Sequence, residues 1–127
     1  MNNIKNYFLN TVKTFAAVVV IGFSIGKAQG VFITEIADPG NDAGARFVEL
    51  YNSGSTDIDL GAGGYKVQRW TNGNSNPTAS SIKDLTGVIP AGGFYILAPG
   101  DGSAFQSTYG FAANQGIGNG GAADSNG

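Results

Sequence analysis

Beyond residue 30 the chain alternates apolar and polar side chains in short runs and nowhere sustains the rhythm of about 3.6 residues that marks an amphipathic helix. Glycine, proline, asparagine and aspartate interrupt the runs at regular intervals, which predicts an all-β domain. Residues 31–37 read as a first strand ending at Asp38-Pro39-Gly40-Asn41-Asp42. Residues 46–52 read as a second, with Phe47, Glu49 and Tyr51 on one face and Val48 and Leu50 on the other, because side chains alternate along a strand. After a turn at Asn52-Ser53-Gly54-Ser55, residues 56–60 place Ile58 and Leu60 on one face and Asp57 and Asp59 on the other, as in a half-buried strand.

Gly61-Ala62-Gly63-Gly64 predicts a tight corner into a strand over 65–70, followed by a flexible polar loop over 71–80 and a short edge strand over 81–85. Residues 88–93 read as a turn delivering 94–98, the most apolar run after residue 30 and the expected central strand. Past Pro99-Gly100-Asp101-Gly102, Ser103 is placed to cap a single helical turn that aligns Phe105 with Tyr109. From Gly110 the composition shifts: six of the last 18 residues are glycine.

The first 28 residues follow a different pattern. Lys5 and Lys13 occur without any acidic residue, an apolar run occupies residues 14–25, and Gly26-Lys27-Ala28 closes it with small residues, which together predict a secretory signal peptide over 1–28. A membrane-spanning helix needs about 18 or more apolar residues, whereas this run has 12. Cleavage is expected after Ala28, with a cut after Gly30 as the alternative. The sequence contains no cysteine, so neither a lipid anchor at the leader nor a disulfide in the domain is available. No stable membrane insertion is expected once the leader is removed.

The exported part has four basic residues, Arg46, Lys66, Arg69 and Lys83, against nine acidic ones. That balance disfavours nucleic acid and anionic membranes, whose phosphates attract lysine and arginine. A cation, or a neutral glycan or protein surface, is the more compatible partner. With no histidine and no cysteine, the chain lacks the side chains most used for catalysis near neutral pH, and a Ser-His-Asp triad is impossible.

Glu35 and Glu49 are the only glutamates and raise the question of a two-carboxylate glycosidase; the competing reading makes them sheet residues accepting hydrogen bonds from backbone, Arg46 or Arg69. Asp38, Asn41 and Asp42 crowd one loop, and Asp57 and Asp59 share a strand face. Each set is a candidate start of an oxygen cage for calcium, although neither has the spacing of a dedicated calcium loop. No other cofactor is suggested. Trp70, the single tryptophan, ends a strand beside the polar loop, where it either contacts a sugar or peptide or caps the core.

Ile33-x-Glu35-Ile36, the run Phe47-Val48-Glu49-Leu50-Tyr51-Asn52, Asp59-Leu60 before a glycine corner and Tyr65, and the run Ile89-Pro90-Ala91-Gly92-Gly93-Phe94-Tyr95-Ile96-Leu97 together resemble the lamin-tail domain, an immunoglobulin-like β-sandwich. The resemblance covers about residues 31–105 and implies that fold for residues 29–127, without catalytic residues of its own. In bacteria such domains accompany nuclease, phosphatase or adhesion modules in secreted or surface proteins. The resemblance therefore implies a secreted or cell-surface, non-catalytic binding or attachment module. The alternative is the N-terminal accessory module of an exported hydrolase, a nuclease or phosphatase, whose catalytic domain follows residue 127.

Members of that family continue past their glycine-rich loop with further strands, whereas Asp124-Ser125-Asn126-Gly127 stands where the next should begin. The C-terminal strands of the sandwich are thus expected to be missing, further domains of the same chain are expected, and a central strand is expected to have an open edge. Sequencing the gene past the codon for Gly127 is expected to show an uninterrupted frame, and a natural stop codon there would refute the expectation.

Overall fold

The computed structural model describes residues 30–71 and 73–118; the leader expected over 1–28 lies outside the described residues. Eight strands and one α-helix follow one another: β1 (Val31–Ala37), β2 (Phe47–Asn52), β3 (Ile58–Asp59), β4 (Lys66–Gln68), β5 (Ile82–Asp84), β6 (Val88–Ile89), β7 (Phe94–Ala98), α1 (Ser103–Tyr109) and β8 (Gln115–Gly116). One layer is a four-stranded sheet in the order β1-β2-β7-β8; the other consists of the two-stranded ladders β3-β6 and β4-β5. The result is an all-β, immunoglobulin-like sandwich.

The alternation along β2 decides what lies between the layers. Val48, Leu50 and Asn52 turn inward and are buried, and Tyr95 and Leu97 of β7 stand beside Leu50 and Val48 in register. From the opposite layer Leu60, Leu85 and Ile89 meet them, with Ile117 closing the cluster and Val31, Ile58 and Val67 packed at its margin. The other face of the sheet is covered only at one end. There α1 seats Phe105 on Ile96 and Ala98 beside Phe47 and Ala113, and the Phe47 and Phe105 rings meet edge to face at 5.7 Å.

A polar residue sits inside the sandwich. Asn52 is completely buried, and its amide nitrogen donates to the carbonyls of Thr56 at 2.8 Å, Ile89 at 3.1 Å and Pro90 at 3.1 Å. Its amide oxygen accepts from Gly54 N–H at 2.8 Å, and its backbone exchanges hydrogen bonds with Gly92 and Gly93. One side chain therefore ties the end of β2 to the turn that follows it and to the end of β6. Gln115 makes a second tie: its side chain accepts from Thr86 N–H at 3.0 Å and donates to the Asp84 carbonyl at 2.9 Å, joining β8 to the opposite layer. Nearby, the Tyr95 hydroxyl donates to the Thr86 carbonyl at 2.8 Å, and burial raises the pKa of that phenol above its ordinary value.

Several elements differ from expectation. Residues 88 and 89 form a strand, not a turn, since Ile89 is fully buried and pairs with Ile58 of β3. The helix runs two turns instead of one. Ser103 lies inside it, left-handed Gly102 occupies the capping position, and the Asp101 carboxylate accepts from Ser103 N–H at 2.9 Å. Hydrogen bonds from Ser103 hold the Asp101 carboxyl below its usual range.

The edge of β7 expected to be open is occupied over its second half. Leu97 and Ala98 pair in parallel with Gln115 and Gly116, and Ile96 exchanges bonds with Asn114 on the same side. Glycine is required there, because a Cβ on Gly116 would stand 2.7 Å from the Asp101 backbone. The glycine corner is a short helical turn: Asp59 caps it through Ala62 N–H, Tyr65 N–H reaches the Leu60 carbonyl, and Gly64 supplies the left-handed residue at φ 66°.

Exchanging Asn52 for Leu removes the donor to three carbonyls and the acceptor for Gly54. It is expected to lower the unfolding free energy by about 3 kcal/mol in urea titrations. Asn52→Asp, which turns a carboxylate toward those carbonyls, is expected to lose more and to recover partly in acid.

Candidate binding face

Strand register assembles a site that no single run of sequence displays. Phe32 of β1 lies opposite Tyr51 of β2, and Tyr51 lies opposite Phe94 of β7, so three aromatic side chains form a row across three strands on the sheet face away from the sandwich core. The Tyr51 and Phe94 rings are 4.9 Å apart at 37°. Phe32, on the edge strand β1, is 50% exposed and Phe94, on the half of β7 that β8 does not pair, is 55% exposed; they flank Tyr51 of the inner strand β2.

The next row along the same face is acidic. The β1–β2 register slips between Ile33 and Glu35, a bulge that inserts Thr34 and leaves Glu35 directly opposite Glu49. Thr34 Oγ1 donates to Glu49 Oε1 at 2.8 Å. Neither glutamate has a basic partner among the described residues, where the ion pairs run from Arg46 to Asp38 and from Lys66 to Asp84. Like charges opposite one another in a sheet repel, so this row is held by the pairing of the strands despite its electrostatics. Beyond it comes Phe47 under α1. The uncovered strip thus begins where the helix ends and comprises the acidic row and the aromatic row.

The bulge also changes the inner side of β1. Ile33 and Ile36, opposite Leu50 and Val48, are 58% and 60% exposed at the edge of the sandwich. A groove of about 150 Å³ lies there between β1 and β4, lined by Val31, Ile33, Leu50, Tyr65, Lys66, Val67 and Leu85.

The residues proposed from sequence are placed as follows. In the loop after β1, Arg46 Nε donates to Asp38 Oδ1 at 2.7 Å and Arg46 Nη2 donates to the Asn41 side-chain oxygen, while Asp42 Oδ1 accepts from Gly44 N–H at 2.8 Å. The cation among these oxygens is the guanidinium of Arg46. Asp57 and Asp59 do not converge: Asp57 accepts from Ala91 N–H at 3.0 Å and Asp59 from Ala62 N–H at 2.9 Å, each fastening a different turn. Among the described residues no group of three or more His, Cys, Asp or Glu is gathered closely enough to hold a metal ion.

Trp70 lies two residues beyond the end of β4, is 46% exposed and belongs to neither buried core cluster. Glu35 and Glu49 stand side by side on one open face, whereas a glycosidase places its two carboxyls on either side of the scissile bond. Neither takes up Arg46, which is engaged with Asp38 and Asn41.

Alternation along residues 46–52 puts Glu49 and Tyr51 on a common face, but nothing in the sequence marks Phe32, Tyr51 and Phe94 as a group. The only available signal was that each strand carries an aromatic residue on the side away from the core. The row depends on register, and register is a property of pairing.

Two packed β-layers, the short helix α1 and turns fastened by aspartate define an immunoglobulin-like β-sandwich module. The sequence matches the lamin tail domain family over residues 26–126, and the chain belongs to that family. A comparison with curated proteins found no match.

Melting curves are expected to be the same with added calcium and with chelator, since oxygens of Asp38, Asn41, Asp42, Asp57 and Asp59 already serve backbone amides and Arg46. Arg46→Met is expected to cost about 2 kcal/mol by removing charged hydrogen bonds from a largely buried carboxylate. A calcium-dependent rise in melting temperature would contradict the first expectation.

Proposed function

We propose that the chain is a secreted or cell-surface, non-catalytic module that binds or attaches through the uncovered strip of its four-stranded sheet. The observation that carries this reading is the row Phe32, Tyr51 and Phe94 on the outer face of the sheet, two members of which are half exposed. Apolar surface left in water forgoes about 25 cal/mol for each Å² that could be buried, and aromatic residues are enriched where partners dock. The leader pattern of residues 1–28 supports export, and the lack of histidine and cysteine in the sequence supports a role without catalysis. Among the described residues no helix is long and apolar enough to cross a membrane.

Co-sedimentation with isolated cell envelopes and with insoluble polysaccharides tests the reading. The wild-type protein is expected to pellet with at least one of them. Phe32→Ser combined with Phe94→Ser is expected to remain in solution at an unchanged melting temperature, because both side chains already face water. Trp70→Ala, in the opposite layer, is expected to behave as wild type. Equal sedimentation of the Phe32/Phe94 variant would refute the strip as the binding face, and failure of the wild type to pellet with any of these materials would refute attachment.

A further inference from the structure

We propose that the strip formed by Phe32, Tyr51 and Phe94 together with Glu35 and Glu49 recognises glycan chains that carry free amino groups. The inference rests on the strip being the binding face and adds the chemistry of what it takes. Three features lead to it. First, the aromatic row is open on the outer face of the sheet, with Phe32 and Phe94 half exposed on either side of Tyr51. Second, the adjoining row offers carboxylates, which when ionised only accept hydrogen bonds, so the ligand must bring donors. Third, Glu35 and Glu49 are paired across the strands with no basic neighbour attached among the described residues, and a ligand cation between them would relieve their repulsion.

A sugar satisfies these demands better than a peptide. Peptides that dock on sheets gain main-chain hydrogen bonds by adding to an unpaired edge; here that would set the peptide beside β1 and off the rings, because the backbone of β2 under Tyr51 is committed on both sides to the β1 and β7 ladders. A peptide laid across the rings would leave its own amides without partners. A pyranose instead turns its C–H face to the rings and its hydroxyl and ammonium groups to the carboxylates. The ammonium also gains from the ring quadrupoles beside it. Thr34, which donates to Glu49, orients that carboxylate toward the bulge and fixes one oxygen, leaving the other for the ligand.

The test uses the full chain as the cell delivers it and measures affinity for glucosamine oligomers and for the fully N-acetylated oligomers of the same length. The free amines are expected to bind about tenfold more tightly, with an advantage that shrinks as salt is raised. Glu35→Gln with Glu49→Gln is expected to abolish that advantage, and it should fold normally because it removes a repulsive pair. Phe94→Ala is expected to weaken both ligands. A charge-matched control, Asp42→Asn with Asp84→Asn, is expected to keep the preference.

Equal affinity for the two oligomers, lost in Phe94→Ala, would overturn the amine specificity while leaving the strip as the binding face. Equal losses in the two charge-changing variants would show bulk attraction by an acidic surface and would overturn the proposal. Tighter, strip-dependent binding of polylysine would overturn it in favour of a basic peptide. Failure to bind either oligomer would overturn it too, and envelope sedimentation would then report separately whether the strip still binds.

Discussion

The sandwich is organised around the buried side-chain amide of Asn52. Three carbonyls from the turn after β2 and from the end of β6 converge on one nitrogen, and Gly54 N–H takes the oxygen. A buried carbonyl without a partner costs about 1–3 kcal/mol, so these groups have to be satisfied wherever the two layers close. A hydrophobic residue at position 52 would continue the inward stripe of Val48 and Leu50 but would leave the carbonyls unmet. The amide satisfies them and also sets how far the turn at 53–56 and the Pro90 corner stand from the sheet. Gln115 does the same at the other end, reaching from the last strand to the backbone of Asp84 and Thr86. Between the two amides the apolar core has little latitude in how its layers align.

The central sheet serves two purposes with its two faces. The inner face carries Val48, Leu50, Tyr95 and Leu97 into a continuous apolar cluster. The outer face is divided: α1 shields Ile96 and Ala98 with Phe105, whereas Phe32, Tyr51 and Phe94 remain uncovered beside Glu35 and Glu49. A helix of seven residues cannot cover a whole sheet face, and the left-handed glycines before and after it limit its length. The exposed strip is therefore a consequence of how short the helix is. A single bulge at Thr34 then places two carboxylates beside the aromatic row.

Acidic side chains in this molecule act mainly as fasteners of loops. Asp57, Asp59, Asp42 and Asp101 each accept a backbone N–H at a turn or helix start, and Asp38 engages Arg46. This use of carboxylates suits a fold with many glycine turns and no disulfide, because each bond restricts a segment that would otherwise add conformational freedom. Glu35 and Glu49 depart from the pattern. They fasten no turn, and the Glu49 carboxylate accepts instead from Thr34 across the strand pair.

Much of the architecture was legible in the residues themselves. Alternation at 47–52 predicted the inward stripe, the apolar run at 94–98 predicted a central strand, and the ordered motifs pointed to the lamin-tail domain, because burial on one face leaves a period-two record in the sequence. The strand at Val88–Ile89 and the pairing of the glycine-rich segment with β7 were not legible, since two-residue ladders arise from packing and leave no periodicity to read. Asn52 looked like a turn residue because asparagine favours turns; its inward position shows only when the alternation of β2 is continued by one more residue. The acidic loop looked like a cation cage until folding brought Arg46 into it. The aromatic row was set entirely by tertiary structure: sequence specified which side chains leave each strand on the outer side, but only the hydrogen-bonded register decided that Phe32, Tyr51 and Phe94 stand next to one another.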